Sequence, residues 1–337
     1  MKLLNYQRGL NGKTLFGIVI KGYAVSIETL QQKSGRTHEE LRDVYFYLEN
    51  LPGSENSARE LLKYGEAYIS SLSDKEKTPL ENVKILAPVP HPRALIDFGL
   101  SPRHLGNSSA ILIKHAFGAF GSLIAPVMRK TVQKATRGKM LYYKGNHNAI
   151  IGDNDTIHWP TYSSYLDIEP ELAIVTGNEA KPIAGYTIFN DSSARDIQLK
   201  EMLGLGGPAR SKDFDRSNGL GPFMVTPDEV GDPLALNVKV NIGNRMAWKG
   251  STSEYCARPE KVIEYLKTVF TLLPGTVIGM GTIPDCTGLD NDLWINPGEK
   301  IEIIFDKLGI LRQNIPDVLG RMEPSNWGNR KELEKFY

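Results

Sequence analysis

The segment YLDIEPELAIVTG, residues Tyr165–Gly177, alternates polar and apolar residues as a core-bound β-strand does, yet it spaces Asp167, Glu169 and Glu171 two apart. Side chains at i, i+2 and i+4 of a strand project from the same face. Like charges side by side on one face repel each other. A chain that folds around this strand must offset that repulsion, and a bound cation is the obvious candidate.

The surrounding sequence says what kind of sheet receives the strand. From VKILAPVPHPRALIDFG onward, apolar runs are short, frequent and punctuated by Pro and Gly: IAGYTIFND, GPFMVTPDE, LALNVKVNIGNRMAW, TVIGMGT and EKIEIIFDKLGILRQNI. That texture predicts a curled, mostly β domain over residues 81–337. Two longer helices are expected there, near NSSAILIKHAFGAF and over RPEKVIEYLKTVFTLLPG, the second with Pro259 in its first turn. Between the first of these helices and the acidic strand, MRKTVQKATRGKMLYYKGNHN is basic and irregular, and reads either as a mobile flap or as a solvated surface loop.

Before Leu80 the pattern differs. KTLFGIVIKGYAVSIETL reads as two strands turning at Lys21-Gly22. THEELRDVYFYLENL and SARELLKYGEAYISSL read as helices, with Thr37/Glu40 and Ser57/Glu60 as reciprocal caps. The polar stretch SDKEKTPLENV then acts as a linker, so residues 1–80 are expected to form a small α+β domain. A length of 337 residues accommodates one large and one small domain, and 41% hydrophobic residues suffice for a sizeable core.

Composition excludes several functions. A net charge of +1 gives no reason to expect nucleic acid or an anionic membrane as partner. Cys256 and Cys286 form neither a disulfide framework nor a zinc spacing, which suits a reduced cytosol. The opening residues lack the apolar core of a secretory leader, and no apolar run reaches the ~18 residues that suggest a membrane span. The expectation is a cytoplasmic protein. LGLGGPARSK is Gly-rich but is not a phosphate-binding GxxxxGK[ST] loop.

Two further carboxylates stand just past apolar strands, Asp97 in ALIDFGLSPRH and Asp191 in YTIFNDSSARDIQ. With the acidic strand they could supply an all-oxygen site for Mg²⁺ or Ca²⁺, with Mn²⁺ as a third option.

These segments resemble the fumarylacetoacetate hydrolase family, and within it the hydrolase that gives the family its name more than the shorter isomerase and decarboxylase branches. DFGLSPRH resembles the Asp-Phe…His segment with its step from Asp97 to His104. LDIEPELA resembles the D-x-E-x-E strand, and NDSSARDIQ the N-D-x-S-A-R-D-x-Q turn. Lys212 in RSKDFD, followed by Leu220–Pro222, and GMGTIPDCTG complete five motifs in order between Ile85 and Ile315.

The resemblance implies an α+β, mostly β fold, a mixed β-sandwich roll with a small N-terminal domain, and a homodimer. It implies Asp97, Glu169, Glu171 and Asp191 as metal ligands, and His104 as the general base. Lys212 and Gln198 are implied as the oxyanion pair, and Tyr143 and Thr282 as substrate contacts. The partner that orients His104 is a Glu in the family. The corresponding TGLDNDLW has none, so Asp292 is the first choice and Asp290 the second. Arg195 and Asp196 are expected to form a structural ion pair.

Two substrate positions depart from the pattern. Met202 stands where the family has a Tyr, and Ile113, beside Lys114, stands where it has an Arg. A more apolar pocket follows, along with a substrate other than fumarylacetoacetate. The expected activity is metal-dependent hydrolysis of a C–C bond in a β-diketone or acylpyruvate-like keto acid. Isomerisation, decarboxylation, hydration or cyclisation through an enolate is the alternative, and a non-catalytic binding protein is the third reading.

Overall fold

The computed structural model describes residues 1–9, 12–204 and 206–336. Its first strands behave as their sequence dictates. Leu15–Ile20 and Tyr23–Ser26 pair antiparallel with Ile20 opposite Tyr23. Lys21 and Gly22 both take positive φ, 48° and 85°, as a two-residue turn with the right hand of twist requires.

That hairpin belongs to a 12-stranded sheet. Along its path lie Lys77–Pro79, Tyr23–Ser26, Leu15–Ile20, Lys2–Gln7, Asn218–Val225, Ile183–Asp191, Pro170–Thr176, Val277–Thr282, Leu95–Phe98 and Tyr142–Gly145. Strands from residues 1–80 therefore join the same sheet as the strands that carry the acidic residues, through the ladder of Lys2–Gln7 on Asn218–Val225. Neighbours along this path are antiparallel, except that Val277–Thr282 and Leu95–Phe98 run parallel.

A second sheet, Met246–Ser251, Asn237–Ile242, Lys300–Phe305, Gly309–Asn314 and Asp155–Thr156, faces the first. Its Val238, Val240, Ile303 and Leu311 share one core with Leu172, Ile174 and Ile188 of the large sheet. On the opposite face of the large sheet, Ala173 and Val175 pack with Val44, Leu48 and Leu51 from the N-terminal helices. Covered on both sides, Pro170–Thr176 is buried at every position, as expected for a central strand. The architecture is the α+β, mostly β arrangement of mixed sheets that the sequence predicts.

The N-terminal helices depart from the expected caps. Glu39–Leu41 is a 3₁₀ turn, Val44–Glu49 is capped by Asp43, and the third helix starts at Gly53. Ser57 lies inside that helix, and its Oγ donates to Glu40 at 2.6 Å. The residues read as two separate caps tie two elements together instead. The helix predicted over RPEKVIEYLKTVFTLLPG is present but shorter, Pro259–Lys267.

The largest departure is Pro102–Thr136, a 35-residue helical segment that Gly118 interrupts with φ 55° and ψ −127°. Read as one rod, it is long and apolar enough to cross a membrane. The chain reverses instead. A Cβ on Gly106 would lie 2.7 Å from the carbonyl oxygen of Arg129 and 2.4 Å from Gln133 Cγ. Residues that far apart in sequence touch only if the second arm runs back along the first, with glycine permitting the close approach. Much of the basic stretch expected to be irregular is thus the return arm of a helical hairpin. Its continuation, Tyr142–Gly145, forms the edge strand of the large sheet.

Candidate active site

Leu95–Phe98, Val277–Thr282, Pro170–Thr176 and Ile183–Asp191 lie side by side. Asp97 faces Gly279 in the register of the first pair, and Gly279 faces Ala173 in the second. A Cβ at Gly279 would sit 2.4 Å from Asp97 Oδ1 and 2.5 Å from Glu171 Oε2. The two carboxylates lean from flanking strands into space that only a missing side chain provides. Glu169 precedes the acidic strand, and its carbonyl accepts from Asp191 N at 3.1 Å, which draws the fourth carboxylate in. All four are buried, none more than 5% exposed.

Such crowding needs counter-charge, and the chain supplies part of it. Lys212 Nζ bridges Glu169 and Asp191. Arg195, fully buried, bonds Glu169 through Nη1 at 2.6 Å and Asp167 through Nε at 2.9 Å. The expected Arg195–Asp196 ion pair is therefore not the one formed. Asp196 accepts from Ser164 N and from the hydroxyls of Ser163 and Ser325 instead. Burial works to protonate Glu169, but Arg195 and Lys212 overcome it and hold the carboxyl well below its usual range.

Glu171 lacks such cations. Burial, and then the charge of Asp97, hold it well above the usual range, although Gly281 N (2.9 Å) and Thr282 Oγ1 (3.2 Å) donate to it. Burial likewise raises Asp97, and pushes Asp191 up to about 8 despite Lys212. Tyr143 donates its hydroxyl to Asp191.

Among the described residues, no three His, Cys, Asp or Glu side chains already stand as a closed ligand set, and Lys212 lies between two of the expected ligands. The donor chemistry nevertheless fits a hard cation. Every donor is an oxygen, Asp97 Oδ1 is buried with no hydrogen-bond partner, and the space over Gly279 is flanked by two carboxylates. A divalent ion removes the mutual repulsion that protonation would otherwise relieve.

His104 approaches from the first arm of the hairpin. Ser101 caps this helix, its Oγ accepting from His104 N at 3.3 Å, and Pro102 follows in the first turn. The imidazole is 5% exposed. Its Nδ1 is 3.0 Å from Asp290 Oδ1, and its Nε2 is 3.3 Å from Glu169 Oε1. Burial lowers its pKa, but Asp290 and Glu169 outweigh burial and push it up to about 9.

Asp290, rather than Asp292, is thus the partner of His104, and local backbone geometry explains the difference. Thr287 caps the short helix Gly288–Asn291 by accepting from Asp290 N. Asp167 pins the same turn by accepting from Gly288 N (2.7 Å) and Leu289 N (2.9 Å). Asp292 stands just past this helix in the left-handed region, φ 53°. Its carboxylate turns away to His115 Nε2 (2.6 Å) and Lys114 Nζ (2.5 Å).

The hydrogen bond from His115 leads in lowering Asp292 to about 2; burial opposes it and Lys114 assists. A depressed carboxyl contributes stability that is present above its unfolded pKa and lost as pH falls through the folded one. Asp292→Asn should therefore flatten the slope of unfolding free energy against pH between about 3.8 and about 2. Denaturant titrations across that range check this, and an unchanged slope would show that the pair contributes nothing.

A cavity of about 320 Å³ collects most of the expected site residues: Asp97, His104, Tyr143, Glu169, Glu171, Gln198, Met202, Lys212 and Thr282. Asp191 stands behind Tyr143 and Lys212, and Asp292 lies outside. Gln198 Oε1 accepts from Arg195 Nη1 at 3.0 Å, which leaves its amide N–H donors as the free end. Lys212 and Thr282 are both engaged by carboxylates within the site.

Sequence reasoning overlooked Ser108, whose Oγ lies 3.1 Å from His104 Nε2, and Leu112, which lines the cavity. It also overlooked Asn107, whose amide donates to Asp290 at 3.3 Å. The signal was available: His104, Ser108 and Leu112 follow the i, i+4, i+8 spacing of one helix face.

A family model described as "Fumarylacetoacetate (FAA) hydrolase C-terminal" matches residues 116–316. A fumarylacetoacetate hydrolase domain-containing protein 2 homolog of Dictyostelium discoideum is 29% identical over 267 residues, covering 72% of this chain and 77% of its own. A mitochondrial oxaloacetate tautomerase of Xenopus laevis is 26% identical over 273 residues, covering 75% and 76%. The structure of maleylpyruvate hydrolase from Sphingobium sp. SYK-6, solved with manganese(II) ion and pyruvate, superposes with a TM-score of 0.64 at 20% identity. It covers 94% of this chain and 99% of that one. The two sequence relatives carry names other than the hydrolase to which the motifs were likened.

Proposed function

Because the chain belongs to the fumarylacetoacetate hydrolase family, we propose that it hydrolyses a C–C bond of an acylpyruvate or similar 1,3-dicarbonyl keto acid, with His104 moving the proton. The observation that carries this reading is the contact of Asp290 with His104 Nδ1, which sets Nε2 toward the cavity that holds the carboxylates. The manganese(II)- and pyruvate-bound relative adds support for a divalent ion and a keto-acid ligand.

Asp97, Glu169, Glu171 and Asp191 would hold a divalent cation, which would supply Lewis-acid polarisation of the substrate and a sink for enolate charge. Asp290 fixes the tautomer of His104 by accepting from Nδ1–H, leaving Nε2 to take a proton from water. Ser108, beside Nε2, orients either the ring or that water. Arg195 holds Gln198 Oε1 so that the amide N–H faces the carbonyl oxygen as negative charge develops there. His104 then returns the proton to the departing carbon or oxygen. Lys212 and Arg195 keep Glu169 ionised throughout.

One observation favours a second reading, keto–enol tautomerisation. Asp290 and Glu169 raise His104 to about 9, so at neutral pH the ring is an acid ready to protonate an enolate. The tautomerase name among the relatives points the same way.

The test is to incubate the protein and Mg²⁺ with acetylpyruvate and with oxaloacetate. Loss of diketone absorbance with acid release, abolished by chelation, is expected. Accelerated enol-to-keto conversion of oxaloacetate without cleavage of acetylpyruvate would replace the first reading by the second. Equal cleavage after exhaustive chelation would remove the metal from both.

A further inference from the structure

We infer that the substrate's end remote from the carboxylate cluster is an uncharged, apolar acyl group, and that the cavity selects against a second carboxylate there; this rests on the acylpyruvate reading above.

The cavity has two unlike ends. Its inner end is the carboxylate cluster with His104. Its outer wall is Leu105, Leu112, Val132, Leu141, Met202 and Pro208. Leu105 and Leu112 come from the first arm of the hairpin and Val132 from the return arm, so the reversal at Gly118 builds this wall. Leu112 is 3% exposed.

Cations are the second observation. Among the described residues that line the cavity, Lys212 is the sole Lys or Arg, and Glu169 and Asp191 engage it at the inner end. Arg195 is spent on Asp167, Glu169 and Gln198. Lys114, two residues beyond Leu112, is turned away onto Asp292. A distal carboxylate would therefore lose its water against leucine and proline with no cation to pair it, whereas an alkyl or aryl group would gain from the same walls. The volume of about 320 Å³ lies at the small end of ligand cavities, which favours a short tail.

Binding separates this inference from the reading it rests on. Calorimetry with Mg²⁺ present would compare 2-oxobutanoate, 2-oxohexanoate and 2-oxoadipate, none of which has a bond to be hydrolysed. Affinity should rise by about fourfold per added methylene until the wall is filled. 2-Oxoadipate should bind at least about tenfold more weakly than 2-oxohexanoate. The same order should appear in kcat/KM for acetyl-, butanoyl- and succinylpyruvate.

Leu112→Arg should shift the preference toward 2-oxoadipate. Met202→Arg, at a half-exposed position on the cavity mouth, should do so without a buried charge to endanger folding. Equal or tighter binding of 2-oxoadipate by the unaltered protein, or a flat chain-length series, overturns the inference. If acylpyruvates are cleaved without tail preference, the inference falls and the hydrolytic reading stands. If 2-oxo acids bind in the expected order but nothing is cleaved, the hydrolytic reading falls and the assignment of the outer wall stands.

Discussion

His104→Gln lowers kcat for the proposed cleavage by about 10²–10⁴-fold, the range that a positioned proton-transfer group contributes, while KM moves little. Asp290→Asn should fall in the same range. An amide at that place can donate to Nδ1 and so reverse the tautomer, putting the proton on the nitrogen that has to accept one. Asp292→Asn is the control, since its carboxylate faces His115 and Lys114 rather than His104, and it should stay within a few-fold of the unaltered enzyme. Steady-state kinetics on the three variants, with circular dichroism to confirm folding, decides the matter. Full activity in Asp290→Asn together with a collapse in Asp292→Asn would reverse the assignment made from geometry.

The second large effect concerns stability. Arg195 is 0% exposed and bonds two carboxylates that are themselves buried. Removing one partner of a buried ion pair leaves the other charge without compensation, at a cost of about 3–5 kcal/mol. Arg195→Met preserves much of the volume and removes only the charge and its hydrogen bonds, so that cost should appear in chemical denaturation. Arg258→Ala removes an ion pair with Asp232 in which both side chains are about half exposed, and surface pairs of that kind contribute about 0–1 kcal/mol. A loss below about 1 kcal/mol for Arg195→Met would mean that water or protonation compensates Asp167 and Glu169 despite their burial.

What could be read from the sequence was local or periodic. The Lys21-Gly22 turn follows from a glycine, which takes positive φ freely, between two apolar runs. Strand alternation puts Asp167, Glu169 and Glu171 together, and the likeness of DFGLSPRH to a family motif adds Asp97. Asp191 followed from the turn NDSSARDIQ.

The misread features were set by distant contacts. Lys2–Gln7 pairs with Asn218–Val225 across more than half the chain, and no short window of sequence contains that information. The apolar pattern of Ile111–Ile124 runs through Gly118 without a change of period, so one glycine among several gave no reason to place a reversal there. Asp290 lies within a four-residue helix, whereas Asp292 stands just past its end in the left-handed region. The pin from Asp167 to Gly288 and Leu289 settles that, through residues read at first as part of the charge cluster itself.

Gly279 carries no functional group, yet the placement of Asp97 and Glu171 depends on the hydrogen atom it presents. Even a methyl group there would drive at least one carboxylate out of position, so no other amino acid leaves the centre intact. Surveys that rank positions by the reactivity of their side chains would pass over it. Natural variants, however, should prove as intolerant of change at this glycine as at any of the acids it accommodates.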